Sequence, residues 1–281
     1  MNNKIYPCLW FDGKVAEIAG FYCSVFNDTK ITAENPLVTT LELAGQKLML
    51  LNGGPHFTIN PSISFFVVCE TEEEIDNTWN GLLEGGSVLM ELDKYPWSAK
   101  YGWVQDKYGV NWQLSYGKQQ DVGQKFTPAL MFTDTQHGHA AEAVHYYVST
   151  FPHSKVVGIL KYANEDDEVA GTVKHAQFSL DNYLFMAMDS SFPHGFSFNE
   201  AISMVVSCDT QEEIDDYWEK LSAVPEAEQC GWLKDKYGVS WQIVPTILEE
   251  LMSDPERSQR VVDAFMTVSY THLTLPTKRI V

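Results

Sequence analysis

Gly102-Trp103-Val104-Gln105-Asp106-Lys107-Tyr108-Gly109-Val110-Asn111-Trp112-Gln113-Leu114 returns later in the chain as Gly231-Trp232-Leu233-Lys234-Asp235-Lys236-Tyr237-Gly238-Val239-Ser240-Trp241-Gln242-Ile243, with nine of thirteen positions identical at an offset of 129. Two more blocks repeat in the same order. Ile63-Ser64 through Cys69, Thr71, Glu74-Ile75-Asp76 and Trp79 match Ile202-Ser203 through Cys208, Thr210, Glu213-Ile214-Asp215 and Trp218 at an offset of 139. Ala16-Glu17 and Tyr22 through Phe26 match Ala141-Glu142 and Tyr147 through Phe151 at an offset of 125. Ordered self-similarity of this kind marks a duplication. The first copy occupies 1–116 and the second 126–245, with a polar linker at 117–125. The changing offset places the differences in loops, where two copies of one scaffold acquire different roles. The second copy gains the acidic stretch Asn164-Glu165-Asp166-Asp167-Glu168 and loses ten residues around Leu92 to Lys100.

Each copy halves again. Ile5 to Phe11 reads as a strand, and Val15, Ile18, Ala19, Tyr22, Val25 and Phe26 keep helical spacing. Val38–Leu43 and Lys47–Leu51 make a hairpin through Ala44-Gly45-Gln46. Ile63–Cys69 is the next strand, and Thr71-Glu72-Glu73-Glu74 is a capping box that opens a helix with Ile75, Trp79, Leu82 and Leu83 on its apolar stripe. Gly85-Gly86 ends that helix, and strands follow near Val88–Leu92, Gly102–Gln105 and Asn111–Tyr116. The expected class is α+β, a strand-helix-strands unit repeated four times. Helices are expected over 246–267. The β-branched, non-amphipathic stretch 268–281 reads as a sequencing or assembly artefact on which no function is built.

The composition is that of a globular chain: 281 residues, 44% hydrophobic and 20% charged. Its longest apolar runs are strand-length, far short of the ~20 residues of a membrane span. A net charge of −19, with Lys and Arg scattered, disfavours nucleic acid and anionic membranes as partners. Met1 to Pro7 carries no apolar signal region, so a cytoplasmic location is expected. Five cysteines without a CxxC argue for reduced, buried thiols over a disulfide framework or zinc ribbon.

Leu9-Trp10-Phe11-Asp12-Gly13 ahead of Ala16-Glu17 and Phe21-Tyr22, Leu51-Asn52-Gly53-Gly54-Pro55-His56-Phe57, and Cys230-Gly231-Trp232-Leu233-Lys234-Asp235-Lys236-Tyr237-Gly238 carry a family resemblance. The chain resembles the vicinal oxygen chelate superfamily of glyoxalase, bleomycin-resistance and extradiol dioxygenase relatives. More narrowly it resembles the PhnB-like branch, labelled as a 3-demethylubiquinone-9 3-methyltransferase domain. The resemblance implies two tandem vicinal-oxygen-chelate domains, four βαβββ units in all, whose sheets curl around one hollow per copy. Metal-using members place His, His and Glu at positions that fall here on Tyr6 or Pro7, Ser62 and Gln113. In the second copy they fall on Thr127 or Pro128, Ala201 and Gln242. These side chains are poor ligands for a hard divalent ion. No metal centre, no cofactor and no catalytic residue is therefore expected. The label's transferase chemistry lacks the Gly-rich strand-to-helix turn of a nucleotide-type cofactor site, since no GxG occurs.

The expected function is binding of a small molecule, partly aromatic or apolar, by a monomer or a homodimer. The alternatives are a metal-assisted lyase, isomerase or dioxygenase, or the transferase of the label. The candidate contacts are Trp10, His56, Phe57, Trp97, Trp103, Gln113, His194, Phe196, Trp232 and Gln242. His56 and His194 recur in matching Pro-His turns, as imidazoles that hydrogen-bond a ligand or shuttle a proton. Gln113 and Gln242 offer neutral donors and acceptors, and the aromatics offer flat apolar walls. Trp112 and Trp241 stand between wall and ordinary core. Asp106-Lys107-Tyr108-Gly109 and its twin read as turn chemistry, and His137-Gly138-His139 as a surface loop.

Overall fold

The computed structural model describes residues 4–248 together with Leu251 and Arg260. The first unit is β1 (Ile5–Phe11), α1 (Val15–Val25), β2 (Thr29–Glu34), β3 (Val38–Leu43) and β4 (Gln46–Asn52). The second is β5 (Ile63–Cys69), α2 (Glu72–Leu83), β6 (Ser87–Tyr95), β7 (Ser98–Gln105) and β8 (Asn111–Tyr116). A short helix, α3 (Gln119–Val122), leads into the second copy. The third unit is β9 (Phe126–Phe132), α4 (Ala140–Thr150), β10 (Lys155–Lys161), β11 (Val173–Leu180) and β12 (Tyr183–Asp189). The fourth is β13 (Ile202–Cys208), α5 (Gln211–Leu221), β14 (Trp232–Lys234) and β15 (Ser240–Pro245).

The four-unit α+β plan stands, with one unit shortened. The ten residues missing from the second copy leave no chain for a counterpart of β6, and a 3₁₀ turn at Pro225–Ala227 bridges α5 to β14 instead. The strand β2, which sequence periodicity passes over, is largely exposed and so shows no apolar alternation. Of the expected 246–267 helices, Ile247, Leu248, Leu251 and Arg260 are helical. The remainder, and all of 268–281, lies outside the described residues.

The sheets do not follow the copies. The seven-stranded sheet runs β14-β15-β13-β1-β4-β3-β2, joining the first unit to the fourth. The eight-stranded sheet runs β10-β11-β12-β9-β5-β8-β7-β6, joining the third unit to the second. The joints are the antiparallel pairs β1·β13, with Cys8 opposite Ser203, and β5·β9, with Ser64 opposite Ala129. Each copy thus gives one unit to each sheet.

Alternation along the strands separates two faces. Ile5, Leu9 and Phe11 of β1 join the main core with Val15, Ile18 and Tyr22 of α1, whereas Tyr6 and Cys8 belong to a separate small cluster with Val205 and Val244. The same period of two puts Phe126, Leu130 and Phe132 in the core and Thr127, Ala129 and Met131 on the other side of β9. Between them, α1, α2, α4 and α5 therefore occupy one face of each sheet, and the opposite face, called the open face below, carries none of them.

The helix faces of the two units in a copy lock together through the repeated Asp turn. Asp106 Oδ1 accepts from the Tyr108 and Val110 amides at 2.9 and 3.0 Å, while Oδ2 accepts from Tyr22 Oη and Trp112 Nε1 at 2.9 and 2.8 Å. Asp235 repeats this with Tyr237, Val239, Tyr147 and Trp241. Gly109 and Gly238 take φ of 88° and 89° to close the turns, which favours glycine. The turn reading of these motifs is what the geometry contains.

Candidate functional site

On the open face of the seven-stranded sheet the side chains of four strands meet. Register places Cys8 of β1 between Met49 of β4 and Ser203 of β13, and Gln242 of β15 donates from Nε2 to Ser203 Oγ at 2.9 Å. Burial pushes the Cys8 thiol up to about 12, and hydrogen bonds with Gln242 and Ser203 pull only weakly against it. That thiol is protonated at neutral pH and a poor nucleophile. The eight-stranded sheet holds the counterpart: Ala129, Met186, Ser64 and Gln113. Gln113 donates from Nε2 to Ser64 Oγ at 2.8 Å and accepts from Tyr101 Oη at 2.7 Å.

Both glutamines lie on the open faces, each tied to a serine. The first-strand position is refined: Pro7 sits on the helix side of β1, and Cys8 is the side chain that meets Gln242. Period-two alternation over Tyr6, Cys8 and Trp10 was the signal for it. The serines next to the glutamines are Ser64 and Ser203, two residues beyond Ser62 and Ala201. A thiol or methyl, a hydroxyl and a neutral amide make up each constellation, with no imidazole or carboxylate among them. That donor set does not fit the divalent ion used by metal-dependent relatives. Among the described residues, no three His, Cys, Asp or Glu side chains come together to hold a metal ion.

The aromatic candidates divide. Trp10 spans the open face of the seven-stranded sheet: its ring lies 5.8 Å from Trp232, 5.0 Å from Phe57 and 6.4 Å from His56, and its Nε1 donates to the Gly54 carbonyl at 2.7 Å. Gly53 makes room for that indole, since a Cβ there would stand 2.1 Å from the ring. Trp103 lies on the open face of the other sheet opposite Gln113. Trp97 sits in the β6–β7 turn, 61% exposed, stacked on Tyr95 at 5.0 Å and edge-on at 5.9 Å to Tyr101, the tyrosine that donates to Gln113. Trp112 and Trp241 are core residues of the helix side, bonded to the buried aspartates.

The histidine pair also diverges. His56 is exposed against Trp10. His194 lies beside Phe196 at 5.1 Å and donates from Nε2 to Ser190 Oγ at 2.8 Å, the Ser190 hydroxyl being given to Glu168 at 2.6 Å. Phe196 presents its carbonyl to Thr133 Oγ1 at 2.7 Å. Glu168 belongs to the acidic loop gained by the second copy, and it also takes Ser191, so that loop is pinned to the end of β12. In the His137-Gly138-His139 loop, His137 keeps a buried, unpartnered Nε2. His175, absent from the sequence reading, is an exposed residue of β11 opposite Leu160, and desolvation lowers its pKa.

Two recesses lie elsewhere, on the helix side. One of about 690 Å³ runs between α1 and α2, bordered by Phe21, Glu73 and Glu84. Another of about 750 Å³ lies by Cys23, Lys30 and Gln119. Neither contains any residue of the two glutamine constellations.

A duplicated strand-helix-strands unit, paired across copies, with a glutamine centred on each open face, defines a protein of the glyoxalase-like class. The family model described as 3-demethylubiquinone-9 3-methyltransferase matches residues 3–115 and 124–244, and the chain belongs to that family. A putative 3-demethylubiquinone-9 3-methyltransferase, a PhnB protein from Bacillus cereus, is 38% identical over 41% of this chain and 100% of its own, with a TM-score of 0.39. Glyoxalase I from Zea mays is 11% identical, covers 88% of this chain and 94% of its own, and has a TM-score of 0.59, a likeness of fold. No curated protein matches the chain.

Proposed function

We propose that this chain binds a small, partly aromatic or apolar molecule on an open sheet face without the help of a metal ion. The observation that carries this reading is the donor set at the centre of each face: Gln242 with Ser203 and Cys8, Gln113 with Ser64 and Tyr101. Such groups orient a ligand by hydrogen bonding and supply no Lewis acid. The transferase chemistry in the family's description finds little support in the first strand-to-helix turn. That turn, Asp12-Gly13-Lys14, has no GxG, and its Gly13 amide is given to Asn52 Oδ1 at 2.9 Å.

Native mass spectrometry of freshly purified protein, with metal analysis and thermal shift against divalent ions and S-adenosylmethionine, tests the reading. A retained organic ligand with sub-stoichiometric metal is expected. Stoichiometric metal, or a melting shift with either additive, would replace the binding reading with the metal-assisted enzyme or the transferase.

A further inference from the structure

Buried polar atoms without partners are rare, and each costs roughly 1–3 kcal/mol. Three of them lie on one open face. On the eight-stranded sheet, Trp103 Nε1, Thr127 Oγ1 and Asn111 Oδ1 are buried with no hydrogen-bond partner. Thr127 is wholly buried on β9, and register sets it in one cross-strand row with Phe66, Gln113 and Trp103. Asn111 gives its amide nitrogen to the Gly109 carbonyl, which leaves the oxygen open. Among the described residues, the open face of the seven-stranded sheet has no such atom; Thr39, the unpartnered hydroxyl of that sheet, pairs with Leu50 on the helix side.

Chain covers part of both faces, the Val122 carbonyl accepting from Gln177 Nε2 at 2.8 Å on the eight-stranded sheet, and an indole also crosses the seven-stranded one. Trp10 reaches Trp232 and Phe57 across it, and Leu248 packs on the Tyr6–Cys8–Val205–Val244 cluster. At the corresponding places in the eight-stranded sheet stand Met131 for Trp10 and Ser190 for Gly53. Met131 is unbranched, adaptable and smaller than the indole in the equivalent place, and it is buried. The charged side chains of β6 are Glu91, Asp93 and Lys94, net negative, and the whole chain carries −19. An anionic ligand meets repulsion there.

Resting on the binding reading above, we infer that the two hollows have divided their roles. The eight-stranded sheet takes the ligand, an uncharged aromatic or apolar compound whose carbonyl-type oxygens accept from Trp103 Nε1 and Thr127 Oγ1. The seven-stranded sheet is a closed structural copy.

The test uses the whole chain with ¹⁵N-labelled tryptophan indoles and two neutral probes, 2,6-diacetylnaphthalene and its carbonyl-free analogue 2,6-diethylnaphthalene. The expected result is one equivalent of the diketone per chain, a downfield shift of the Trp103 indole N–H and none of Trp232's, with the analogue about ten- to hundredfold weaker, the worth of two hydrogen bonds. Thr127→Val removes an unpaired hydroxyl at constant shape. It is expected to raise the melting temperature while weakening the diketone about three- to tenfold, the worth of one of the two bonds, whereas Trp232→Phe changes affinity less than twofold. The opposite signs for Thr127→Val separate a ligand contact from a structural one. Two equivalents bound, movement of the Trp232 resonance, or a lower melting temperature for Thr127→Val would overturn the division while leaving the binding reading intact. Failure of both probes to bind at any concentration they reach would overturn the binding reading as well.

Discussion

Asp235 shows how one side chain can organise a fold and tax it in the same conformation. Its carboxylate accepts four hydrogen bonds, yet burial outweighs them and raises its pKa from 3.8 to about 6. The folded state therefore binds the proton more tightly than the unfolded chain. The stability from that proton is fully present below about pH 4 and is lost as pH rises through about 6. About two pKa units correspond to about 3 kcal/mol. Denaturation of wild type and the non-titrating Asp235→Asn from pH 4 to 8 should show the difference moving in favour of Asn by up to that amount, then levelling above pH 7. A flat difference would mean that the four donors compensate burial in full. Removing a single donor is a separate matter: Tyr147→Phe leaves Oδ2 with Trp241 alone and is expected to cost about 1–3 kcal/mol in urea denaturation. Asp106, raised in the same direction by the same burial, predicts a similar loss for Tyr22→Phe.

Helix starts and strand-end turns carry the duplication into local structure. Thr71 and Thr210 accept from the Glu74 and Glu213 amides at 3.1 and 3.2 Å, as the capping boxes predict. The reciprocal glutamate bond lands one residue earlier than the usual box, on the amides of Glu70 and Asp209. Those glutamates are also the partners of Lys125 and Lys4, so each cap is tied to the first strand of the other copy. Thr210→Ala should lower stability by about 1 kcal/mol through the lost cap. At the β4 end, Gly53→Ala places a methyl inside the Trp10 indole and must displace it. An overpacking cost of about 1–3 kcal/mol is expected. Trp10 should then lose its bond to Gly54, visible as a red shift in tryptophan emission; unchanged emission and stability would show that the ring has other room.

The molecule as a whole behaves as two equivalent halves related by an approximate twofold. Lys4 pairs with Glu213 and Lys125 with Glu74; Asn60 donates to the Ser197 carbonyl and Asn199 to the Thr58 carbonyl. Both sheets cross from one copy to the other, so neither copy can complete a sheet from its own strands. Cleavage at a protease site placed between Gln120 and Asp121 should therefore leave the fragments together as a 1:1 complex in native mass spectrometry. Fragments that separate as folded monomers would show that each copy is self-sufficient.

Much of this was legible in the chain. The duplication, the capped helices and the Asp turns follow from short-range signals: repeated blocks, helical spacing and turn chemistry, whereas the glutamines were singled out by family resemblance. Those signals act between neighbours in sequence, and each copy carries its own set. The long-range pairing was not legible, because the edge of β1 presents the same kind of backbone donors and acceptors to β5 of its own copy as to β13 of the other, and local sequence does not name the partner. Ser64, Cys8 and His175 were missed for a related reason: each becomes notable only when another strand brings its neighbours. Tertiary packing also decided that Trp112 and Trp241 serve buried aspartates while Trp10 and Trp103 stand on open faces, since all four are equally apolar in sequence and only the sheet's two sides tell them apart.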